Sequence, residues 1–172
     1  MKKIKAWIPN MFTFGNAALG ISAIVHTING NITIGAFLLL IAMVFDFFDG
    51  FTARKLNVTS DIGKELDSLA DAISFVTAPS LIIYMNYLSP SNWGIIVSAL
   101  IVIFGIYRLA RFNIHGTTKY FVGIPTPLFA LVTVILILGN IALSPLLASI
   151  IFLVLGYLMI SKIKIPTFKG GK

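Results

Sequence analysis

Six carboxylates, Asp46, Asp49, Asp61, Glu65, Asp67 and Asp71, are all the acids the chain has, and they fall within residues 46–71. Asp46 and Asp49 are spaced i, i+3 and share one helix face, which Gly50 and Ala53 continue. Asp67 and Asp71 are spaced i, i+4 on a following helix, with Gly63 one turn earlier on the same face. Asp61 and Glu65 fall off that face and are expected to meet solvent. Four carboxylates brought together from two antiparallel helices would repel strongly in a low dielectric. Arg54 and Lys64 could offset part of that charge. Hard divalent cations bound through oxygen do so better, so Mg²⁺ or Mn²⁺ is the expected occupant, and two ions could span the four groups. The small residues Gly50, Ala53 and Gly63 would let a ligand come close to the backbone. Two other readings of the acids alone stay open: solvated helix ends with local ion pairs, and a transporter that uses the acids as metal or proton sites.

The elements that must position these groups are read from a chain of 172 residues that is 58% hydrophobic and 11% charged, with a mean hydropathy of +0.97. A soluble domain of this length needs more polar surface than that. Apolar runs close to the roughly 20 residues that cross a bilayer recur along it. The expected fold class is therefore all-α: one membrane domain, residues 1–172, with six transmembrane helices. The spans are read at about 12–28, 32–55, 61–88, 93–113, 122–140 and 143–163. Pro9 and Asn10 interrupt the first apolar run, so residues 2–9, with their lysines and Trp7, are read as a short interfacial segment. That interruption, and the want of an Ala-x-Ala-like site, argue against a signal peptide. Cysteine is absent, which excludes disulfides and thiolate metal sites.

The basic residues give a net charge of +7 and fall into four groups. Lys2, Lys3 and Lys5 precede the first span, and Arg54, Lys55 and Lys64 lie between the second and third. Arg108, Arg111 and Lys119 lie between the fourth and fifth, and Lys162, Lys164, Lys169 and Lys172 follow the sixth. The other connections carry no charge. The positive-inside bias then puts both termini, and the carboxylates, on the cytoplasmic side of the cell membrane. It also accounts for the charge without a nucleic-acid partner. Span two runs apolar over residues 32–45, about 21 Å of helix, or two-thirds of the hydrocarbon core, before Asp46. Spans three and four change from apolar to charged at a similar depth. A polar chamber shared by three helices near the inner headgroup boundary follows, since ionisable groups in a membrane face a cavity or a partner.

Written out, the stretch is Asp46-x2-Asp49-Gly50-x2-Ala53-Arg54-x8-Gly63-x3-Asp67-x3-Asp71. At all eight defined positions it resembles the signature of the CDP-alcohol phosphatidyltransferases. The resemblance implies a six-helix membrane enzyme, a homodimer, that needs divalent metal and displaces CMP from a CDP-activated lipid with an alcohol hydroxyl. Carried over, Asp46, Asp49, Asp67 and Asp71 would hold two metal ions, and Asp71 would also serve as general base. Gly50 and Ala53 would line the cytidine site, with Arg54 and Gly63 also on the CDP-lipid. Asn10, Thr13 and Asn16 recur every three residues along one face of span one. They could line the chamber, Thr13 beside the CDP-lipid, or could serve as a helix cap and interhelical hydrogen bonds.

Three further stretches, residues 8–20 (IPNMFTFGNAALG), 107–113 (YRLARFN) and 121–127 (FVGIPTP), resemble the phosphatidylserine synthase branch. That implies L-serine as acceptor and CDP-diacylglycerol, or the ether-linked CDP-archaeol, as donor. Serine carries a carboxylate, and an arginine fork suits one. Arg108 and Arg111, spaced i, i+3, with Asn113 nearby, are the expected serine-binding residues. Both arginines could instead anchor at headgroups or bind a phosphate, which keeps glycerol phosphate and inositol phosphate open as acceptors. His115 is read as a loop residue, Pro125 and Pro127 as the start of span five, and Gly156 as a close helix contact.

Overall fold

The computed structural model describes residues 2–56, 58, 60–115 and 120–166, the backbone alone for 2–6, 115, 120–122 and 164–166. Lys119, Lys169 and Lys172 of the basic groups lie outside the described residues. The order of elements is α1 (Lys2–Ile28), α2 (Ile32–Leu56), α3 (Asp61–Leu88), α4 (Gly94–His115), β1 (Tyr120–Val122), α5 (Thr126–Leu138), α6 (Pro145–Ile160) and β2 (Lys164–Pro166). Among the described residues four helices, α1 from Trp7 onward and α2 to α4, are long and apolar enough to cross a membrane.

The structure is helical but not purely so. β1 and β2 pair antiparallel, with Phe121 opposite Ile165. This ladder explains why α5 and α6 are shorter than the spans expected at 122–140 and 143–163. Pro125 and Pro127 close the start of α5, as expected. Ahead of them Gly123 turns with φ +79° and donates to Ile163 O at 2.9 Å. A side chain there would strike the Met159 carbonyl.

Two other expectations change. Pro9 lies inside α1 without breaking it, so residues 2–9 run on into the first span rather than forming a separate element, and Asn10 is not a cap. His115 is the last residue of α4, not a loop residue.

Between helices in lipid there is no hydrophobic driving force, so small residues and close packing hold the bundle together. Gly30, φ +82°, turns α1 back into α2. Ala23, Ala36, Leu39 and Ala42 are fully buried along the pair. A Cβ at Gly35 would lie 2.5 Å from Thr27 Oγ1. α3 starts from Ser60, whose hydroxyl accepts from Gly63 N at 3.0 Å. It is wound as a π-helix over Ala72–Thr77 and Tyr84–Leu88. The main core gathers Ile82, Ile83, Leu88, Ile101, Phe129 and Phe152, all buried. As expected, Gly156 is a close contact: a Cβ there would lie 2.9 Å from the Phe104 ring. Large apolar side chains such as Phe37, Ile41, Ile103 and Ile150 stay on the outside, as lipid-facing positions do.

Candidate active site

The charged end of α2 meets the first three turns of α3, and the carboxylate faces read from the spacing meet there. Asp46, Asp49 and Asp67 each offer an oxygen, and these oxygens lie within 4.8 Å of one another. Asp46 also faces Asp71, so the fourth carboxylate borders the same cluster. Asp49 and Asp71 are both nearly buried, at 7% and 8% exposure. Asp61 and Glu65 stand apart from the cluster and are exposed. Glu65 nonetheless has a partner besides solvent, because Asn113 Nδ2 donates to it at 3.1 Å.

The third wall is α1. Thr13 Oγ1 donates to Asp49 Oδ2 at 2.8 Å, and Asn16 Nδ2 to Asp71 Oδ1 at 3.5 Å. The polar stripe thus holds one carboxylate from each of the two helices. Two oxygens of this site are buried without a hydrogen-bond partner, Asp67 Oδ1 and Asn16 Oδ1. A buried polar atom left unpaired costs about 1–3 kcal/mol, and more where it is charged. Acidic oxygens gathered this closely, one of them unpaired, fit a hard divalent cation by donor chemistry.

The signature's small residues lie at the rim. Gly50 and Ala53 are half-buried. The Arg54 guanidinium folds over Gly50, 3.2 Å from where a Cβ would sit, and acts on Asp49. Gly63 is closed in by Ser60 Oγ and Asn10 Oδ1, at 3.1 and 3.4 Å from a Cβ built there. Its smallness therefore serves the α3 cap and the contact with α1.

The three residues expected to bind serine separate. Arg108 is 7% exposed and acts on Asp71 from the α4 side. Its Nη1 donates to Thr126 Oγ1 at 3.1 Å, and its guanidinium lies over the Phe112 ring at 5.6 Å. Arg111 instead reaches the end of α6, donating to Ile160 O at 2.7 Å and to Met159 O and Ser161 O at 3.3 Å. Asn113 joins α4 to α3: its carbonyl accepts from Lys64 Nζ at 2.7 Å and its Oδ1 from Ser68 Oγ at 2.9 Å. Thr126 and Ser68 were not singled out from sequence. A lone hydroxyl at a helix start or on a polar face carries no signal that would single it out.

Residues 6–161 match the family described as CDP-alcohol phosphatidyltransferase. The CDP-diacylglycerol–serine O-phosphatidyltransferase of Bacillus subtilis is 41% identical over 165 residues, covering 95% of this chain and 92% of that protein. The protein of the same name from Helicobacter pylori is 41% identical over 95% of this chain and 73% of its own length. The archaetidylserine synthase of Methanothermobacter thermautotrophicus is 38% identical over 98% of this chain and 74% of its own length.

Proposed function

The chain belongs to the CDP-alcohol phosphatidyltransferase family, and from that premise we propose that it transfers a phosphatidyl or archaetidyl group from a CDP-activated lipid to the hydroxyl of L-serine. The observation that carries the reading is the company of Asp71. This nearly buried carboxylate borders three others on one side and meets the buried guanidinium of Arg108 on the other. The serine hydroxyl gives its proton to Asp71, its oxygen bonds to the lipid-bearing phosphorus, and the bond from that phosphorus to CMP breaks. A general base placed this way typically contributes 10²–10⁴ in rate. Arg108 holds the serine carboxylate and keeps the hydroxyl aimed, while Thr126 and Phe112 hold Arg108.

Two divalent ions, Mg²⁺ or Mn²⁺, held by Asp46, Asp49, Asp67 and Asp71 would supply the positive charge that a diphosphate needs during transfer. Gly50, Ala53, Arg54 and Thr13 border the CDP portion, and Gly63 supports them from the start of α3. Of the other expected serine residues, Arg111 and Asn113 act by holding α4 against α6 and α3. The chain is one domain of six spans, of which α5 and α6 are the short ones. Both termini and the site face the cytoplasm, and the family resemblance suggests a homodimer.

The names of the relatives favour serine over glycerol phosphate or inositol phosphate. The purified protein in lipid nanodiscs with CDP-diacylglycerol tests this directly. CMP release and a new aminophospholipid are expected with L-serine. Release only with glycerol 3-phosphate or inositol 1-phosphate would refute the acceptor. Uptake of metal into dye-loaded vesicles, with no CMP released by any alcohol, would point to transport instead.

A further inference from the structure

The Asn16 side chain is fully buried, and the donors and acceptors around it leave one group without a partner. Its Nδ2 faces the Asp71 carboxylate. The opposite amide orientation would set oxygen against oxygen, so the placement of Oδ1 away from Asp71 follows from chemistry. Oδ1 then has no donor. The Asp71 carboxylate that its amide faces only accepts when ionised, and so supplies none. A buried amide oxygen in this position wants a donor that arrives with the substrate.

Asp71 has Asn16 of α1 on one side and Arg108 of α4 on another. A 2-amino-3-hydroxy acid carries hydroxyl, carboxylate and ammonium on three adjacent carbons. With its hydroxyl at Asp71 and its carboxylate at Arg108, the remaining group is a cationic donor. We infer that Asn16 is a specificity-determining residue whose Oδ1 accepts a hydrogen bond from the ammonium group of the amino-acid acceptor. This rests on the serine reading above. It adds to that reading a reason why hydroxy acids and simple alcohols of similar size would be rejected. A site built to pair a polar substrate group discriminates strongly against an analogue that lacks it, since its own group is then left unpaired.

The test compares kcat/KM for L-serine and for 3-hydroxypropanoate, which lacks only the amino group. Wild type, Asn16→Ala and Asn16→Ser are measured, each checked for folding by monodispersity and by its affinity for Mn²⁺ in the presence of CDP-diacylglycerol. Loosening Asp71 lowers both rates together and leaves their ratio alone. Loss of the ammonium contact lowers the ratio. The expected result is a fall in the serine preference of about tenfold to a hundredfold, the range of one charge-assisted hydrogen bond. Mn²⁺ affinity should stay within about twofold of wild type, because the amide's bond to Asp71 is long, at 3.5 Å, unlike the 2.8 Å bond from Thr13 to Asp49. An unchanged ratio in variants of a serine-using enzyme would overturn the inference while leaving the serine reading intact. So would a tenfold loss of Mn²⁺ affinity with the ratio unchanged, which would make Oδ1 a metal ligand. If wild type releases no CMP with L-serine, both fall.

Discussion

Arg108 and Arg111 are three residues apart, identical in type and at the end of one helix, so replacing each by alanine asks whether position alone decides function. Arg108 is buried, lies over Phe112, is held by one bond to Thr126 and faces Asp71. Arg111 spends its guanidinium on the carbonyls of residues 159–161, where α6 ends. A fork on a carboxylate makes two charge-assisted bonds, together worth about 3 kcal/mol in a partly dry site, or roughly a hundredfold in equilibrium. Arg108→Ala should therefore raise the KM for serine by about a hundredfold and move that for CDP-diacylglycerol much less. Arg111→Ala removes charge-assisted bonds to the end of a helix, worth a similar free energy. Its loss should appear as a lower thermal midpoint, by roughly 5 °C or more, with the serine KM changed by no more than a few-fold.

The assay is steady-state CMP release with serine and CDP-lipid varied in turn, set beside thermal unfolding of the same preparations. Arg108→Lys sharpens it. Lysine keeps the charge but loses the fork and the stacking on Phe112, so the serine KM should stay raised by about tenfold. Equal rises in the two KM values for Arg108→Ala, or a serine KM raised as far by Arg111→Ala as by Arg108→Ala, would remove Arg108 as the carboxylate's partner.

Asp71→Asn should lower kcat by about 10²–10⁴ while CDP-lipid still binds, measured by single-turnover CMP release and equilibrium binding; wild-type turnover would remove Asp71 as the base. Thr13→Val takes the 2.8 Å bond from Asp49. It should weaken Mn²⁺ binding by about tenfold in a titration, and an unchanged affinity would make Thr13 a packing residue. Chelation should abolish turnover, with Mg²⁺ or Mn²⁺ restoring it in a CMP-release assay. Gly20→Ala would bring a Cβ to 2.8 Å from Ser74 Cα. A cost of about 1–3 kcal/mol in stability and a loss of turnover are expected from thermal melts and rates together.

The carboxylate faces could be read from sequence because polar residues in an apolar helix have little choice. Four aspartates at i, i+3 and i, i+4 must share a side, and only a common chamber avoids exposing them to lipid. Thr13 and Asn16 were readable in the same way, as a stripe. The separation of Arg108 from Arg111 was not. Both have the charge, reach and depth to enter the chamber, and what divides them is a hydroxyl on α5 and the carbonyls at the end of α6, both distant in sequence. The shortening of α5 and α6 was hidden because hydropathy counts apolar residues and is blind to whether they are wound or extended. The π winding of α3 was hidden for a related reason: in a helix apolar on every side, an extra residue per turn leaves no break in the pattern.

That winding has a part in holding the site. It begins at Ala72, one residue beyond Asp71, and Thr77 Oγ1 bonds back to the Ala72 carbonyl at 2.8 Å. The flanking helices press on this segment at glycines: Gly20 of α1 would strike Ser74 if it bore a Cβ, and Gly105 of α4 would strike Val76. Gly20 is one turn from Asn16, Ser74 one turn from Asp71, and Gly105 one turn from Arg108. Each of the three side chains proposed to meet serine thus stands one turn from a backbone contact with too little space for a methyl group. A helix rotated or lifted to relieve one contact would carry its polar residue out of the chamber. The lipid-facing sides of α1 and α4 supply no hydrophobic force to hold them in place, so close packing at these glycines must do so. On this argument, binding-site geometry and bundle stability are coupled at the same level of the membrane. Substitutions at Gly20 and Gly105 should therefore lower serine affinity and thermal stability together, whereas Gly35→Ala, packed against Thr27 and eleven residues before Asp46, should lower stability alone.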